Sequence, residues 1–149
     1  MTILLDYFPR NDMIKTNMSD IQKNLENVKA QIAKACMRGK QIIREAKNVN
    51  LVAVSQKQPL ERVQEMLDCG HRLYGENRMQ EAQERWGALR PDYPDLKLHL
   101  IGPLQTNKVK EAIQLFDVIE TVDRPKLVKA LAGEMQKQNR PLPCFIQVN

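Results

Sequence analysis

Between Leu51 and Val148 the sequence alternates between two hydrophobic rhythms, and that alternation confines the chain to a narrow set of folds. Leu51-Val52-Ala53-Val54-Ser55 is an unbroken apolar run of strand length, the pattern of a parallel strand covered on both faces. After Pro59 the apolar residues fall at Leu60, Val63, Met66 and Leu67, a helical period stopped by Gly70. Arg72-Leu73-Tyr74 reads as a second strand, and Met79, Ala82 and Trp86 as the apolar face of the next helix. Pro91 and Pro94 mark a loop before a third strand over 96–101. A helix is predicted over 106–115, a fourth strand over 117–122, and a helix opened by Pro125 with Leu127, Leu131 and Met135 on its buried face. A fifth strand covers 144–149. Strands that alternate with helices in this way predict an α/β fold. Its sheet is parallel with right-handed crossovers, either doubly wound or closed as a barrel. No G-x-G-x-x-G or Walker A sequence follows any strand, which disfavours a Rossmann or P-loop nucleotide site.

Upstream of this region the pattern differs. Residues 1–18 show no clear period and read as a loosely ordered extension, with Met18 an alternative start. Ser19-Asp20-Ile21-Gln22 fits a capping box, and Ile21, Leu25, Val28, Ile32 and Ala35 share one helical face. Ile42, Ile43 and Ala46 extend the pattern, so one long amphipathic helix is predicted over 19–47. Positive charge concentrates here. Residues 1–50 carry 9 basic and 5 acidic side chains, against 14 and 13 in the remainder. Lys23, Lys29, Lys34, Arg38, Lys40 and Arg44 are spread along the helix without interleaved aromatics, as on a solvated face and not as on a nucleic-acid surface. The helix also lacks the Trp and Phe that anchor a chain to a membrane surface, and no apolar run is long enough to span one. Cys36, Cys69 and Cys144 form no metal-ligand spacing with His71 or His99, and no signal-peptide h-region is present. Reduced thiols without a leader suit a cytoplasmic protein.

Ligands of parallel α/β folds bind at the carboxyl ends of strands, and those ends are polar in this sequence. Ser55-Gln56-Lys57-Gln58 follows the first strand and Gly75-Glu76-Asn77 the second. The third contains His99 and leads to Gly102-Pro103-Leu104-Gln105-Thr106-Asn107-Lys108. Glu120 to Arg124 close the fourth, and Gln147 and Asn149 the fifth. Five polar ends in register read as the rim of one pocket. Each residue has a plainer reading as well: Asn77 as a helix cap, His99 as a core histidine, Lys57 and Lys108 as solvated charges, Gly75 and Gly102 as turn formers.

The words at these ends carry a resemblance. Leu51-Val-Ala-Val-Ser55, Tyr74-Gly-Glu-Asn77 with Gln80-Glu81, His99-Leu-Ile-Gly102 with Leu104-Gln105 and Asn107-Lys108, and Phe145-Ile-Gln-Val-Asn149 occur in order and at the right separations. Together they resemble the pyridoxal-phosphate homeostasis protein family, single-domain relatives of the alanine racemase N-terminal barrel. The match runs over about residues 19–149, which would form the N-terminal part of such a barrel. The resemblance implies a (β/α)8 TIM-type barrel of fold-type III, of which this chain carries an N-terminal helix and about five strands. It implies pyridoxal 5′-phosphate at the mouth, held as a Schiff base to a lysine ending the first strand, and a role in vitamin B6 cofactor homeostasis without robust turnover. Carried onto this chain, the cofactor-binding residues are Gln56, Lys57, Asn77, His99 and Gly102, with no metal and no catalytic residue.

Two departures stand out. The family's strand-one word reads A-V-S-K-x-x-P, and here Ala53-Val54-Ser55-Gln56-Lys57-Gln58-Pro59 sets Gln56 where the lysine belongs. A carboxamide nitrogen is not a usable nucleophile. Lys57 is adjacent, but if the strand persists its amine faces the helix layer, and only a bulge or an early strand end re-aims it. The sequence also stops after the fifth strand, as a truncated or degenerate family member would. The open sheet edge then invites self-association. The alternative reading is a non-catalytic interaction protein that uses helix 19–47 and that edge. Racemase activity is disfavoured by the missing lysine and second domain.

Overall fold

The computed structural model describes residues 2–5, 18–37 and 45–148, with the side chains of residues 2–5, 18 and 19 left aside. The chain divides into two compact units, one of residues 1–53 and 58–71, the other of 54–57 and 72–149.

In the first unit, strand β1 (Thr2–Leu5) lies parallel to β2 (Asn50–Val54), Leu4 opposite Val52. The expectation of a loose extension over 1–18 therefore fails at Thr2–Leu5. A run of four residues is too short to show a period, yet it suffices for a strand once a partner is alongside. Helix α1 spans Met18–Met37 and packs on α2 (Leu60–Asp68). Ile21 and Leu25 are buried, Val28 and Ile32 half-buried, and Ala35 is exposed, so the apolar face withdraws from the core towards the C-terminal end. The predicted capping role of Ser19 and the continuation through Ile42 and Ile43 lie outside the described residues. The helix does not continue to residue 47, because Ala46–Asn48 is a separate 3-10 turn. Val63, Met66 and Leu67 of α2 are buried, whereas Leu60, expected on the same face, is 52% exposed. Gly70, at φ +80°, ends the helix in a Schellman turn. Its N–H reaches the Leu67 carbonyl at 2.9 Å, and the His71 N–H reaches Met66 at 3.2 Å.

In the second unit, β3 (Leu73–Glu76), β4 (Lys97–Leu100), β5 (Val118–Val122) and β6 (Cys144–Ile146) pair in chain order, all parallel. Between them run α3 (Met79–Leu89), α4 (Val109–Leu115) and α5 (Pro125–Gln138). Each crossover helix follows from its apolar period, and Pro125 opens α5 as predicted. Asn139, at φ +49°, closes it in the left-handed region that asparagine tolerates. All the predicted strands are present, and β1 adds one. The architecture is α/β with parallel strands, part of a (β/α) barrel.

Register assigns the faces of this sheet. Tyr74 pairs with Leu98 and Glu76 with Leu100, and these side chains share a face with Ile119. That face meets the helices. Tyr74, Leu98, Leu100, Ile113, Phe116, Ile119 and Leu127 are essentially fully buried. Trp86 of α3 lies 4.6 Å from the Tyr74 ring, tilted by 46°. The other face carries Gly75, His99, Val118 and, by alternation, Glu120. Asp117 locks the approach to β5: both its oxygens accept from Arg90 Nη2 at 2.7 Å, and one also accepts the Leu98 N–H at 2.8 Å. Among the described residues no helix is long and apolar enough to cross a membrane, and no group of three or more potential metal ligands occurs.

Candidate functional site

All the site residues inferred from the sequence fall in the second unit, at or just beyond the carboxyl ends of its strands. Alternation sorts them. At each of two strand ends, consecutive residues point to opposite faces, one towards the helices and the next away.

Ser55 and Glu76 point to the helix side and build a knot. Glu76 is fully buried, and its Oε1 accepts from Ser55 Oγ at 2.7 Å, Arg85 Nη1 at 2.6 Å and Trp86 Nε1 at 3.0 Å. Arg85 Nη1 also donates to the Ser55 carbonyl at 2.8 Å, and the Ser55 N–H reaches the Gly75 carbonyl at 3.2 Å. A buried carboxylate is tolerated only with a charge partner and several donors, and Arg85, 15% exposed, supplies the charge. The sequence pattern sets Glu76 on the polar rim. The structure instead puts it beneath, because it shares the parity of Tyr74 and not that of Asn77. A local signal was available: Arg85 and Trp86, two of the three donors, lie on one turn of α3, the helix that follows β3.

Gln56 and Asn77 point the other way and meet. Asn77 Nδ2 donates to Gln56 Oε1 at 2.5 Å, with both side chains half-buried. Asn77 is therefore not the helix cap. The residue before the first turn of α3 is Arg78, with no side-chain cap. Gly102 is held against Asn77 from the β4 side. A Cβ at this glycine would lie 2.2 Å from the Asn77 carbonyl oxygen and 2.6 Å from its Cα, a distance only glycine permits. Gly102 thus sets the position of Asn77, and its own carbonyl accepts from Thr121 Oγ1 at 2.7 Å.

His99 is on the same face, opposite Gly75 in the register. It is 8% exposed, and its Nδ1 lies 2.6 Å from Glu120 Oε1. The carboxylate fixes the ring orientation, and with the shared proton on Nδ1 the other ring nitrogen, Nε2, is left as an acceptor. The sequence placed Glu120 at the rim of the fourth strand without pairing it to His99. The partners are 21 residues apart, and only the β4–β5 register joins them.

Lys57 stands apart. Strand β2 ends at Val54, so the early end that would re-aim this lysine does occur, but the backbone then turns at Lys57 through φ +58° and leaves the side chain exposed. The structure brings together Gln56, Asn77 and Gly102, sets His99 with Glu120 on the same face, and leaves Lys57 outside. Asn107 and Lys108 lie exposed on the 3-10 turn Thr106–Lys108 after β4, with Gln105 exposed just before it and Lys108 within 3.7 Å of Glu111. The expected contribution of Asn149 lies outside the described residues.

Comparison with known proteins places this arrangement. The family model of the alanine racemase N-terminal domain matches residues 12–149. The chain belongs to that family. The pyridoxal phosphate homeostasis protein of Vibrio cholerae is 37% identical over 137 residues, 89% of this chain and 56% of that protein. The Vibrio alginolyticus protein of the same name is 34% identical over 134 residues, with the same coverage. Among solved structures, PipY of Synechococcus elongatus PCC7942 with pyridoxal phosphate bound aligns at a TM-score of 0.71 and 32% identity, over 87% of this chain and 54% of that one. The chain spans about half the length of the relatives it matches. The family resemblance read from the strand-end words is thereby borne out.

Proposed function

We propose that this chain binds pyridoxal 5′-phosphate, and that it serves vitamin B6 cofactor homeostasis by holding the cofactor and not by turning over a substrate. The observation that carries this reading is the single polar face at the strand ends. The Gln56–Asn77 amide pair lies on it with the His99–Glu120 pair, in a chain related to PipY, whose structure holds pyridoxal phosphate. Hydrogen-bonding groups of this kind orient a flat polar ring. Gln56 and Asn77 would meet the ring substituents, and His99, steadied by Glu120, would present Nε2 to the ligand. Gly102 holds Asn77 in place. Bound pyridoxal phosphate supplies a reactive aldehyde and an electron-withdrawing ring. Among the described residues of this face none carries an amine.

The test is equilibrium dialysis of the purified chain against pyridoxal 5′-phosphate. One saturable site is expected, weakened about tenfold by Asn77→Ala, the loss of one hydrogen bond plus the positioning of Gln56. Binding that never saturates, or that Asn77→Ala leaves unchanged, refutes the reading.

A further inference from the structure

The residues of this face fit a polar ring but do not fit covalent capture of an aldehyde. Gln56, Gly75, Asn77, His99, Val118 and Glu120 contain no amine, and the neighbouring Lys57 sits exposed on a left-handed turn. What the face offers instead is the unspent capacity of two carboxamides. With Asn77 Nδ2 bonded to Gln56 Oε1, Gln56 keeps its Nε2 hydrogens and Asn77 keeps its Oδ1 lone pairs, and neither atom has another partner among the described residues. Turning both amides over leaves the same outcome, since one NH2 and one carbonyl then remain on the opposite partners. The pair presents a donor beside an acceptor whichever way the amides lie.

That pattern discriminates among oxidation states of one ligand. An aldehyde oxygen only accepts, so it meets the free NH2 and leaves the free carbonyl unsatisfied. A hydroxyl donates and accepts, and satisfies both. Resting on the cofactor-binding function proposed above, we infer that the site of this chain is non-covalent and prefers the alcohol, pyridoxine 5′-phosphate, to the aldehyde, pyridoxal 5′-phosphate. One additional satisfied hydrogen bond corresponds to about a fivefold difference in affinity. Gln56 is the specificity-determining residue. It exchanges a nucleophile, which rewards only the aldehyde, for an amide that rewards a hydroxyl.

Calorimetric titration of the intact chain with each vitamer, paired with borohydride reduction and peptide mass mapping, decides the matter. The expected result is tighter binding of pyridoxine 5′-phosphate by about fivefold, with no reduced adduct on Lys57. In Gln56→Lys the preference should invert, and a single adduct should map to position 56. An adduct on Lys57 in the unaltered chain, or binding of the aldehyde as tight as or tighter than that of the alcohol, overturns the inference while leaving cofactor binding standing. Failure of both vitamers to bind the folded chain removes the proposed function and this inference together. The comparison of ligands on the unaltered chain decides the outcome even if Gln56→Lys does not fold.

Discussion

Single residues carry more of this site than their neighbours in sequence suggest. Gly102 has no side chain to offer a ligand, yet its contact with the Asn77 backbone fixes the geometry of the amide pair. Gly102→Ala places a methyl group 2.2 Å from a carbonyl oxygen, and backbone, not a flexible side chain, must yield. A loss of about 2–3 kcal/mol in stability is expected by chemical denaturation, together with weakened ligand binding. Cys69 makes a different residue-scale prediction. Burial first, then the carboxylates of Asp68, Glu65 and Glu26, hold its thiol above its ordinary range, with Lys29 acting weakly the other way. A raised thiol is protonated across neutral pH, so iodoacetamide should label Cys69 more slowly than free glutathione at pH 8. Glu65→Gln and Asp68→Asn should each speed the labelling. The sign for stability follows from the same shift: the folded state retains the proton longer than the unfolded chain. Any contribution is therefore complete below the unfolded thiol's pKa and is lost as pH rises through the folded value.

At the scale of elements, the sequence disclosed what periodicity controls and hid what register controls. Strands and helices of the second unit stood out because apolar runs and helical spacings reflect burial directly. Leu98, Leu100, Ile113 and Leu127 are all at the core for that reason. The facing of Glu76 and Asn77 was not legible, since an apolar run buried on both sides does not announce which parity meets the helices. The same holds for His99 and Glu120, whose meeting needs the β4–β5 pairing. The early end of β2 is one of the two conditions that would re-aim Lys57, but the left-handed turn that follows is not legible in the sequence, and the side chain goes to solvent. The Glu76 knot ties the 54–57 segment, β3 and α3 together at a buried charge. Glu76→Ala strips Arg85, Ser55 and Trp86 of their shared acceptor, and a loss of about 3–5 kcal/mol is expected from urea unfolding. Trp86 is the only tryptophan, so its emission follows the event directly.

At the scale of the whole molecule, the second unit leaves one flank of its sheet uncovered among the described residues. Strand β6 pairs with β5 on one side, and Phe145, Ile146 and Val148 are 50%, 80% and 87% exposed. An apolar edge strand is a template for further pairing. The chain spans about half the length of the curated relatives it matches. The 149-residue chain is expected to associate with concentration in sedimentation velocity runs, and Ile146→Lys should shift it towards the monomer without disturbing the distant amide pair. A monomer at all concentrations for the unaltered chain would count against the interaction reading and in favour of a self-sufficient ligand binder.

The alternation at Ser55-Gln56 and Glu76-Asn77 has an evolutionary corollary. One residue of each doublet holds the fold and the next points to the opposite face, so inheritance can rewrite the second without consulting the first. Codons for lysine and glutamine differ at one base. A single mutational step can therefore exchange glutamine and lysine at position 56, while the buried Glu76 knot, one residue removed in each doublet, keeps the scaffold unchanged. Selection on the amide pair and selection on folding can act here on adjacent letters of the same word, and almost independently.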